Sequence, residues 1–361
     1  MKIVGIDYHK SYSYATMIDT ETGVITQSRL NNDERSVRGF LGEGEVRAVM
    51  EAGRCWGWFY DMLSEMCEEV KLAHPLKVRA IASARIKNDR IDSKVLADLL
   101  CADLIPEAYA RSTQNRRELA ILRQRVFWVK MRTRIKNRIH VLVDRQGVAG
   151  AGTRPGCTDL FGKAGMEWLK AVSLPGSERE LLDSLLEGYE FVQKRIAASD
   201  AQVRALYKAD PVAQRLSTIP GIGVFFSVLI SKEIGDIRRF RAPEKLHSYA
   251  GLVPSTYSSG GVTRHGRMTK QGNRWLRWAA IEAAIPAANS NAQIGFLYRK
   301  HKYRKGNAKN AKVVVARRIL TIVYRVWTQE RRFEVYRKEH KKAESPSPPY
   351  NGASCPRSSV G

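Results

Sequence analysis

The chain has 361 residues, of which 43% are hydrophobic and 27% charged. That composition supplies enough apolar material for folded cores and excludes a wholly disordered or fibrous protein. Its 61 Lys and Arg against 36 Asp and Glu give a formal net charge of +25, which favours nucleic acid as a partner, because each phosphate contact releases counterions and supplies affinity.

The cysteines and the apolar runs exclude other classes of protein. Five cysteines lie at wide spacings without a CxxC pair, which favours neither a disulfide framework nor a zinc site. No apolar run approaches the roughly 20 residues of a membrane-spanning helix, and the opening MKIVGIDYHK lacks the apolar segment of a signal peptide. We therefore expect a cytoplasmic, nucleoid-associated protein that makes no contact with a membrane.

The charge is divided unevenly along the chain. Residues 1–110 hold 14 Lys and Arg against 17 Asp and Glu, whereas residues 111–361 hold 47 against 19. The sequence therefore predicts a near-neutral N-terminal domain followed by a strongly basic region that contacts nucleic acid.

An α/β pattern extends over residues 1–108. Apolar runs and turn signals predict three antiparallel strands, a helix, a fourth strand, an amphipathic helix, a fifth strand and a further helix. In chain order these elements are expected at residues 2–8, 12–18, 24–30, 37–41, 45–50, 56–67, 70–73 and 84–103.

A basic helical arm is predicted over residues 109–210. Residues 111–145 contain 11 Lys and Arg but only Glu118 and Asp144 as acids, with apolar residues mostly at steps of three and four, as in an antiparallel coiled coil or a bundle. A second helical region, 160–207, follows a Gly- and Ala-rich break. The first helix carries seven candidate phosphate contacts, namely Arg123, Arg125, Lys130, Arg132, Arg134, Lys136 and Arg138.

A mostly helical C-terminal domain is predicted over residues 211–342, with a disordered tail over 343–361. Pro220-Gly-Ile-Gly223 resembles the hairpin of a helix-hairpin-helix, in which backbone N–H groups near Gly221 and Gly223 can hold a phosphate. Residues 251–272 form a Gly/Ser-rich stretch, and Ser258-Ser-Gly-Gly261 within it, taken alone, indicates a flexible loop. Helices are expected at 274–288 and 309–341.

Basic and aromatic side chains near that loop are further candidates for nucleic-acid contact. The candidate phosphate ligands are Arg264, His265, Arg267, Lys270 and Arg274. Trp275, Trp278 and Trp327 could stack on bases, but their helical spacing favours a place in the core.

Four carboxylates form an ordered pattern in the N-terminal part. Asp7 ends the first predicted strand, Glu51 follows the fourth, and Asp89 and Asp92 share one face of a later helix. Singly, each has an ordinary explanation as a turn cap or a first-turn acid. Together they follow the order used by RNase H-like nucleases, in which two Mg²⁺ ions about 4 Å apart stabilise the attacking and leaving oxygens of a phosphodiester.

Motifs in both halves of the chain resemble one family. Gly5-Ile-Asp-Tyr-His-Lys10, Met50-Glu-Ala-Gly53 and the run from Lys87 to Ala97 resemble the DEDD motifs of a large group of bacterial insertion-sequence transposases related to the Piv invertase. Later segments resemble that family in the same order, namely Ile219-Pro-Gly-Ile-Gly223, Tyr249-Ala-Gly-Leu-Val-Pro254, Tyr257-Ser-Ser-Gly-Gly261 and Gly266-Arg-Met-Thr-Lys-Gln-Gly-Asn273.

The resemblance implies a RuvC-like N-terminal domain and a recombination reaction that depends on a C-terminal serine. That serine attacks DNA and becomes attached through a phosphoserine bond. Ser259, directly before Gly260, fits this role. Because Ser258 and Ser259 are adjacent, the match to the family motif leaves open which of the two is the nucleophile. The same resemblance implies that Mg²⁺ is held by four acids, namely Asp7, Glu51, Asp89 and Asp92.

The resemblance also implies nucleic-acid partners. These are the double-stranded DNA of the element ends and target, and a structured guide RNA (bridge RNA). The basic middle helix and the segment Arg299–Arg318, which has nine Lys and Arg and no acid, are suited to holding an A-form backbone without reading its sequence. Exchange between two duplexes requires four cleavages, so we expect a homo-oligomer, a dimer or tetramer.

Other functions remain open at this stage. The four acids alone could support a Holliday-junction resolvase or an RNase H-like nuclease that hydrolyses DNA. A non-catalytic nucleic-acid scaffold is a third reading. A sugar-kinase-like ATPase also opens with a Gly-Ile-Asp strand, but the second Gly-rich phosphate loop that it needs is missing and the charge of +25 does not suit it.

Overall fold

The computed structural model describes residues 1–82, 88–147, 159–259 and 262–334. The chain divides into two units, which we call the N-terminal unit (Met1–Arg116) and the C-terminal unit (from Arg117). The predicted boundaries at residues 108 and 210 remain predictions, and the predicted tail lies outside the described residues. Among those residues, no helix combines the length and apolar character needed to cross a membrane.

A five-stranded mixed sheet organises the N-terminal unit, and its strand order is β3-β2-β1-β4-β5. The strands are β1 (Lys2–Tyr8), β2 (Tyr12–Asp19), β3 (Ile25–Asn31), β4 (Val46–Glu51) and β5 (Glu69–Ala73). The first three pair antiparallel, whereas β4 runs parallel to β1 and to β5. The predicted mixed α/β class is thus confirmed, and the sheet is consistent with an RNase H-like domain.

Helices cover both faces of this sheet. They are α1 (Glu34–Leu41), α2 (Gly57–Ser64), α3 (Pro75–Ile81) and α4 (Asp89–Cys101). Val4 and Ile6 join the core under α1 and α2, while Ile3 joins the core under α4. Burial on both faces explains why β1 is a continuous apolar run rather than an alternating one.

The helix predicted over residues 84–103 corresponds in the described part to α4 (Asp89–Cys101). Residues 83–87 lie outside the described part, and α4 begins at Asp89, where the side chain of Asn88 caps it by accepting a hydrogen bond from the N–H of Arg90. The separate helix α3 was not predicted. Its signal is Pro75 at the first helical position, because proline is favoured there.

Gly5 sets the distance between β1 and α4. A Cβ at this position would lie 2.2 Å from the carbonyl oxygen of Ser93 and 2.4 Å from the amide nitrogen of Ala97. Beside this contact the hydroxyls of Thr16 and Ser93, both fully buried, share a hydrogen bond of 2.7 Å. Helix α4 is therefore fixed against the sheet between Ser93 and Ala97.

Gly5→Ala is expected to lower the free energy of unfolding by about 1–3 kcal/mol, the usual cost of overpacking, since neither neighbour is a flexible side chain. Denaturant unfolding measures this change. The control is Gly39→Ala in α1, where a Cβ meets nothing within 4 Å and alanine is expected to be neutral or stabilising by up to about 1 kcal/mol. Equal losses at the two positions would contradict the close β1–α4 contact.

Two long helices run antiparallel in the C-terminal unit. They are α5 (Thr113–Arg145), which begins just before the unit boundary, and α7 (Gly176–Ala209), with the short α6 (Lys163–Ala171) between them. Arg125 pairs with Asp200 and Arg132 with Gln193. Residue numbers therefore increase along α5 while those of the partners on α7 decrease, which makes the two helices antiparallel. The predicted long helices are confirmed, and the coiled-coil arm remains a prediction.

The rest of the C-terminal unit packs around the alanine-rich helix α11. Its elements are α8 (Pro211–Leu216), α9 (Val224–Ile234), α10 (Pro243–Tyr249), β6 (Pro254–Ser259), β7 (Val262–Met268), α11 (Arg274–Ser290), α12 (Ala292–Lys305) and α13 (Ala308–Thr328). Six alanines of α11 are buried, and their small side chains allow neighbouring helices to approach closely. Trp275, Trp278 and Trp327 pack against this core, as their spacing predicted.

Two predictions for this region were wrong. The flexible loop indicated at 258–261 is wrong for Ser258 and Ser259, because both pair within the β6–β7 hairpin, and residues 260 and 261 lie outside the described part. The chain from 292 to 328 forms two helices instead of a single helix from 309 to 341; α12 was missed, and residues 335–341 lie outside the described part.

Candidate metal centre and serine hairpin

The carboxyl ends of two parallel strands bring two of the predicted acids to one edge of the sheet. Ile6 of β1 pairs in register with Met50 of β4, and the next residues along these strands are Asp7 and Glu51. Glu51 is the last residue of β4 and is half-buried. The strand topology therefore places both residues on the same edge, as the family pattern implied.

Asp7, His9 and Asp89 converge at this edge. Nε2 of His9 lies 3.2 Å from Oδ2 of Asp7 and 3.2 Å from Oδ2 of Asp89. One potential ligand atom from each residue lies within 4.8 Å of the other two. The hydroxyl of Tyr12 donates a hydrogen bond of 2.9 Å to Oδ2 of Asp89, which orients that carboxylate.

Asp92 stands beside this group without joining it. It lies three residues after Asp89 in the first turn of α4 and is half-buried. Its negative charge contributes to raising the pKa of Asp7. Of the four predicted ligands, Asp7 and Asp89 are in the converging group, and Glu51 and Asp92 flank it.

Asp7 is an electrostatically costly carboxylate. Its pKa is raised chiefly by burial and further by the charges of Asp89 and Asp92, while His9 opposes the rise. Only 19% of its side chain is exposed. The carboxylates of Asp7 and Asp89 have oxygens within 4.8 Å of one another. When both are ionised they repel, so the site favours a bound cation.

The donor set fits a divalent ion. Carboxylate oxygens suit Mg²⁺ and Mn²⁺, and imidazole suits transition metals such as Mn²⁺ better than Mg²⁺. The buried Nε2 of His9 has no well-aligned hydrogen-bond partner, which leaves its lone pair available in one tautomer. Its 3.2 Å distances to both carboxylates are close to the roughly 3 Å between neighbouring ligands of an octahedral ion with bonds of about 2.1 Å.

His9 was not predicted as a member of the site. Its signal was present in the sequence, because Asp7-Tyr8-His9 places a carboxylate and an imidazole two residues apart at a strand end, and alternate residues of a strand project to the same side. Sequence patterns could not show that α4 brings Asp89 to the same place.

Asp7→Asn is expected to stabilise the metal-free protein at neutral pH. The folded-state pKa of Asp7 is raised, so ionisation of this group costs stability as the pH rises from its unfolded pKa through its folded pKa. Asparagine removes that cost. Thermal unfolding from pH 4 to pH 8 in a chelator should show a weaker loss of stability at higher pH in the variant, and the exposed Asp98→Asn should behave like wild type.

Added Mn²⁺ or Mg²⁺ should raise the melting temperature of the wild type and of Asp98→Asn but not that of Asp7→Asn. A metal response that is equal in all three proteins would contradict ion binding at Asp7.

The predicted serines lie at the end of a two-stranded hairpin. In the backbone register Ser258 pairs with Thr263 and Ser259 with Val262, and residues 260 and 261 lie outside the described part. Ser259 is the last residue of β6.

The base of this hairpin is anchored to the ends of two helices. The guanidinium of Arg277 donates to the carbonyls of Ala250 and Lys270, each at 2.9 Å. The backbone N–H of Asn273 donates to the carbonyl of Tyr249 at 2.7 Å. Gly272 has φ +120°, and a Cβ there would meet the carbonyl of Tyr249 at 2.4 Å. The motif residues around the serines therefore fix the base of the hairpin.

Four of the predicted phosphate contacts on α5 already have partners within the protein. Arg123 pairs with the buried Glu233 at 2.8 Å, Arg125 with Asp200 at 2.5 Å and Arg132 with Gln193 at 3.2 Å. Lys136 lies 4.4 Å from the ring centre of Phe161. Within the described part of the chain, the exposed side chains of three others form no ion pair, namely Lys130, Arg134 and Arg138.

The other residues predicted to contact nucleic acid also include both exposed and packed positions. Arg264, Arg267, Lys270 and Arg274 are exposed, and His265 is among the residues whose side chains the structure does not describe. Gly221 has φ +83°, and a Cβ there would lie 2.4 Å from the carbonyl of Ala283, so it serves close packing on α11. Gly223 precedes α9 without a side-chain cap and has nothing near its Cβ position.

Comparison with known proteins places these features in one family. Residues 4–146 match a transposase model for the DEDD domain, and residues 213–299 match the model described as "Transposase IS116/IS110/IS902 family". The chain is 26% identical over 342 residues to a transposase for insertion sequence element IS1111A of Coxiella burnetii, covering 93% of this chain and 92% of that protein.

A second relative is a probable family 20 transposase of Pseudomonas aeruginosa. It is 26% identical over 285 residues, which cover 78% of this chain and 82% of the relative. The two matched domains lie in the order that the motifs predicted, with the acids in the first and the serines in the second. The chain belongs to the IS110/IS116/IS902 family of insertion-sequence transposases.

Proposed function

We propose that this transposase cuts and rejoins DNA through a covalent serine–DNA intermediate, assisted by a divalent ion at the acidic edge of its N-terminal sheet. The observation that carries the metal part of the proposal is the convergence of Asp7, His9 and Asp89 within 4.8 Å. Family membership supports DNA as the substrate.

Asp7 and Asp89 would hold the ion, with His9 as a nitrogen donor and Glu51 and Asp92 as flanking carboxylates. Mg²⁺ is the expected ion, and the histidine would suit Mn²⁺ better than Mg²⁺. A divalent ion there would neutralise charge on a phosphodiester and lower the pKa of a nearby hydroxyl. Tyr12 would keep Asp89 oriented through its hydrogen bond, and Gly5 allows α4 to pack closely on β1 at Ser93 and Ala97.

Ser259 would supply the nucleophile, with Ser258 as the alternative. Its Oγ attacks the phosphorus, an Oγ–P bond forms, and the bond between phosphorus and one deoxyribose oxygen breaks. The serine proton is lost and the leaving oxygen gains a proton. A new strand end reverses these steps and releases the serine, so the number of phosphodiester bonds is unchanged and no energy source is needed.

Exposed cations would hold the nucleic acid near these groups. On α5 the available side chains are Lys130, Arg134 and Arg138, and near the hairpin they are Arg264, Arg267, Lys270 and Arg274. A structured guide RNA is the second proposed ligand. The basic segment Arg299–Arg318 suits its backbone, because contacts to phosphate require charge and not base sequence.

A dimer or tetramer is the proposed active form, since exchange between two duplexes requires four cleavages. The serines and the acids lie in different units of the chain. One active site could therefore combine the serine of one protomer with the acids of another. We propose this sharing as part of the mechanism.

The test is an adduct assay. The protein is incubated with Mg²⁺, the RNA transcribed from the flanks of its gene and end-labelled DNA of the element end, and the products are separated under denaturing conditions. A protein band that carries label and yields phosphoserine on digestion supports the proposal. Free cleaved DNA without any adduct would support hydrolysis by the acids alone and overturn the serine step.

A further inference from the structure

A cavity lined by aromatic and basic side chains lies in the C-terminal unit, apart from the serine hairpin. It has a volume of about 530 Å³, within the range of roughly 300–1,000 Å³ that holds small ligands. Its walls come from the middle of α5 and the first turns of α9 and α11. The lining residues are Arg125, Val126, Val129, Lys130, Phe225, Phe226, Arg274, Trp275 and Trp278.

Four aromatic rings form a connected series in this cavity. The ring centres of Phe225 and Phe226 are 5.4 Å apart, those of Phe226 and Trp278 5.1 Å, and those of Trp278 and Trp275 5.9 Å. These pairs meet edge to face, so none of them is a parallel stack. All four rings are only partly buried, and a planar ligand stacked against them would remove apolar surface from water.

Cations surround the same rings. The guanidinium carbon of Arg125 lies 4.6 Å from the ring centre of Phe225, and that of Arg274 lies 5.6 Å from the ring centre of Trp275. Arg125 is paired with Asp200. Within the described part of the chain, no acidic residue pairs with Lys130 or Arg274, so the cavity has an uncompensated positive charge.

The first turn of α9 adds donors beside the rings. Phe225 and Phe226 are the second and third residues of this helix, and Gly223 provides no side-chain cap for its free N–H groups. A ligand whose flat part contacts the two phenylalanines therefore has backbone N–H groups within the same helical turn. Such groups bind anions, phosphate in particular.

We propose that this cavity binds one unpaired DNA base together with the phosphates that flank it. A base supplies the planar, partly apolar ring system for the aromatic walls, and its backbone supplies the negative charge for Lys130, Arg274 and the start of α9. An apolar small molecule would leave the cations without a partner. The inference rests on the proposed function as a DNA enzyme and adds a site to it.

The experiment compares three fluorescein-labelled duplexes with identical flanking sequence. One is fully paired, one contains a single unpaired adenine, and one contains an abasic residue in place of that adenine. Fluorescence anisotropy gives the three dissociation constants. Stacking of one base on aromatic side chains favours the unpaired adenine by about fivefold to 100-fold, and we expect a preference of at least fivefold over both other duplexes.

Substitutions in the cavity test which residues cause this preference. In Phe225→Leu and Trp275→Leu the preference should fall below about twofold, because the stacking surface is lost. The matched control is Phe127→Leu, an exposed aromatic residue of α5 that does not line the cavity; it should keep the full preference. Lys130→Gln should weaken binding of all three duplexes by a similar factor, since it contacts backbone charge.

Each result decides between distinct conclusions. Equal binding of the adenine and abasic duplexes by the wild type, or a preference that survives in both cavity variants, overturns the proposal. Loss of self-association in the cavity variants without any difference among the duplexes would assign the cavity to a second copy of the chain and also overturn it. Failure to bind any duplex would count against the proposed function itself. Circular dichroism confirms folding, and should one variant fail to fold, the wild-type comparison and the other variant still decide.

Discussion

Ser259→Ala is expected to abolish the covalent protein–DNA adduct while leaving the affinity for DNA unchanged. Alanine has no Oγ and cannot form the bond to phosphorus, whereas the backbone of β6 and its pairing with β7 need no hydroxyl. Strand joining should fall by at least about 10³-fold, as is usual when a catalytic nucleophile is removed. Denaturing gels with labelled DNA measure the adduct, and anisotropy measures the binding.

The same strand offers matched controls for this result. Ser255→Ala in β6 should retain the adduct, because Ser255 lies near the base of the hairpin, where its Oγ is close to Gly266. Ser258→Ala should retain most of it. If the adduct disappears in Ser258→Ala and persists in Ser259→Ala, the nucleophile is one residue earlier. A normal adduct in the double variant would refute a role for either serine.

Asp7→Asn is expected to lower the rate of adduct formation by about 10²–10³-fold, the loss typical when a charge-stabilising group is removed from an active site. Asparagine keeps the size and one oxygen of the side chain but loses the charge that attracts a divalent ion. The rate is measured at saturating DNA over a range of Mg²⁺ and Mn²⁺ concentrations.

Asp98→Asn is the control for this second result. Asp98 lies on α4 like Asp89 but is exposed and pairs with Lys94, four residues earlier, a type of pair worth little. Its variant should react at the wild-type rate. Wild-type activity in Asp7→Asn would refute the metal site. Mixing Asp7→Asn with Ser259→Ala tests sharing between protomers, since a shared site predicts recovery of activity in the mixture.

The strands of the N-terminal unit could be predicted because their signals are local. The turn at Glu21-Thr-Gly23 and the apolar runs around it define β1, β2 and β3 to within one or two residues. The hairpin that carries Ser259 was missed for the opposite reason. Its strands are short and mostly polar, with three serines in β6, and β6 is exposed at Tyr257 (70%), so no apolar alternation marks them. Anchors such as Arg277 lie outside the hairpin in sequence.

For the basic helix α5, too, the sequence predicts some properties and the structure alone shows others. Its length and the seven basic side chains predicted to contact phosphate follow from the sequence. The partners of those side chains do not, because Glu233, Asp200 and Gln193 lie more than 60 positions away along the chain. A pattern of charge therefore predicted a phosphate-binding face, whereas the structure leaves three of the seven, Lys130, Arg134 and Arg138, exposed and without an ion pair in the part of α5 that is described.

The sequence alone determined the family, the order of the four acids, the strands of the N-terminal sheet and the sign of the charge, since motifs and apolar periodicity are written in neighbouring residues. Tertiary structure alone decided that His9 joins Asp7 and Asp89 and that α5, α9 and α11 enclose an aromatic cavity. These arrangements depend on contacts between residues distant in the chain, such as the close approach of α4 to Gly5, and no local pattern encodes a distance between two helices or between a helix and a sheet.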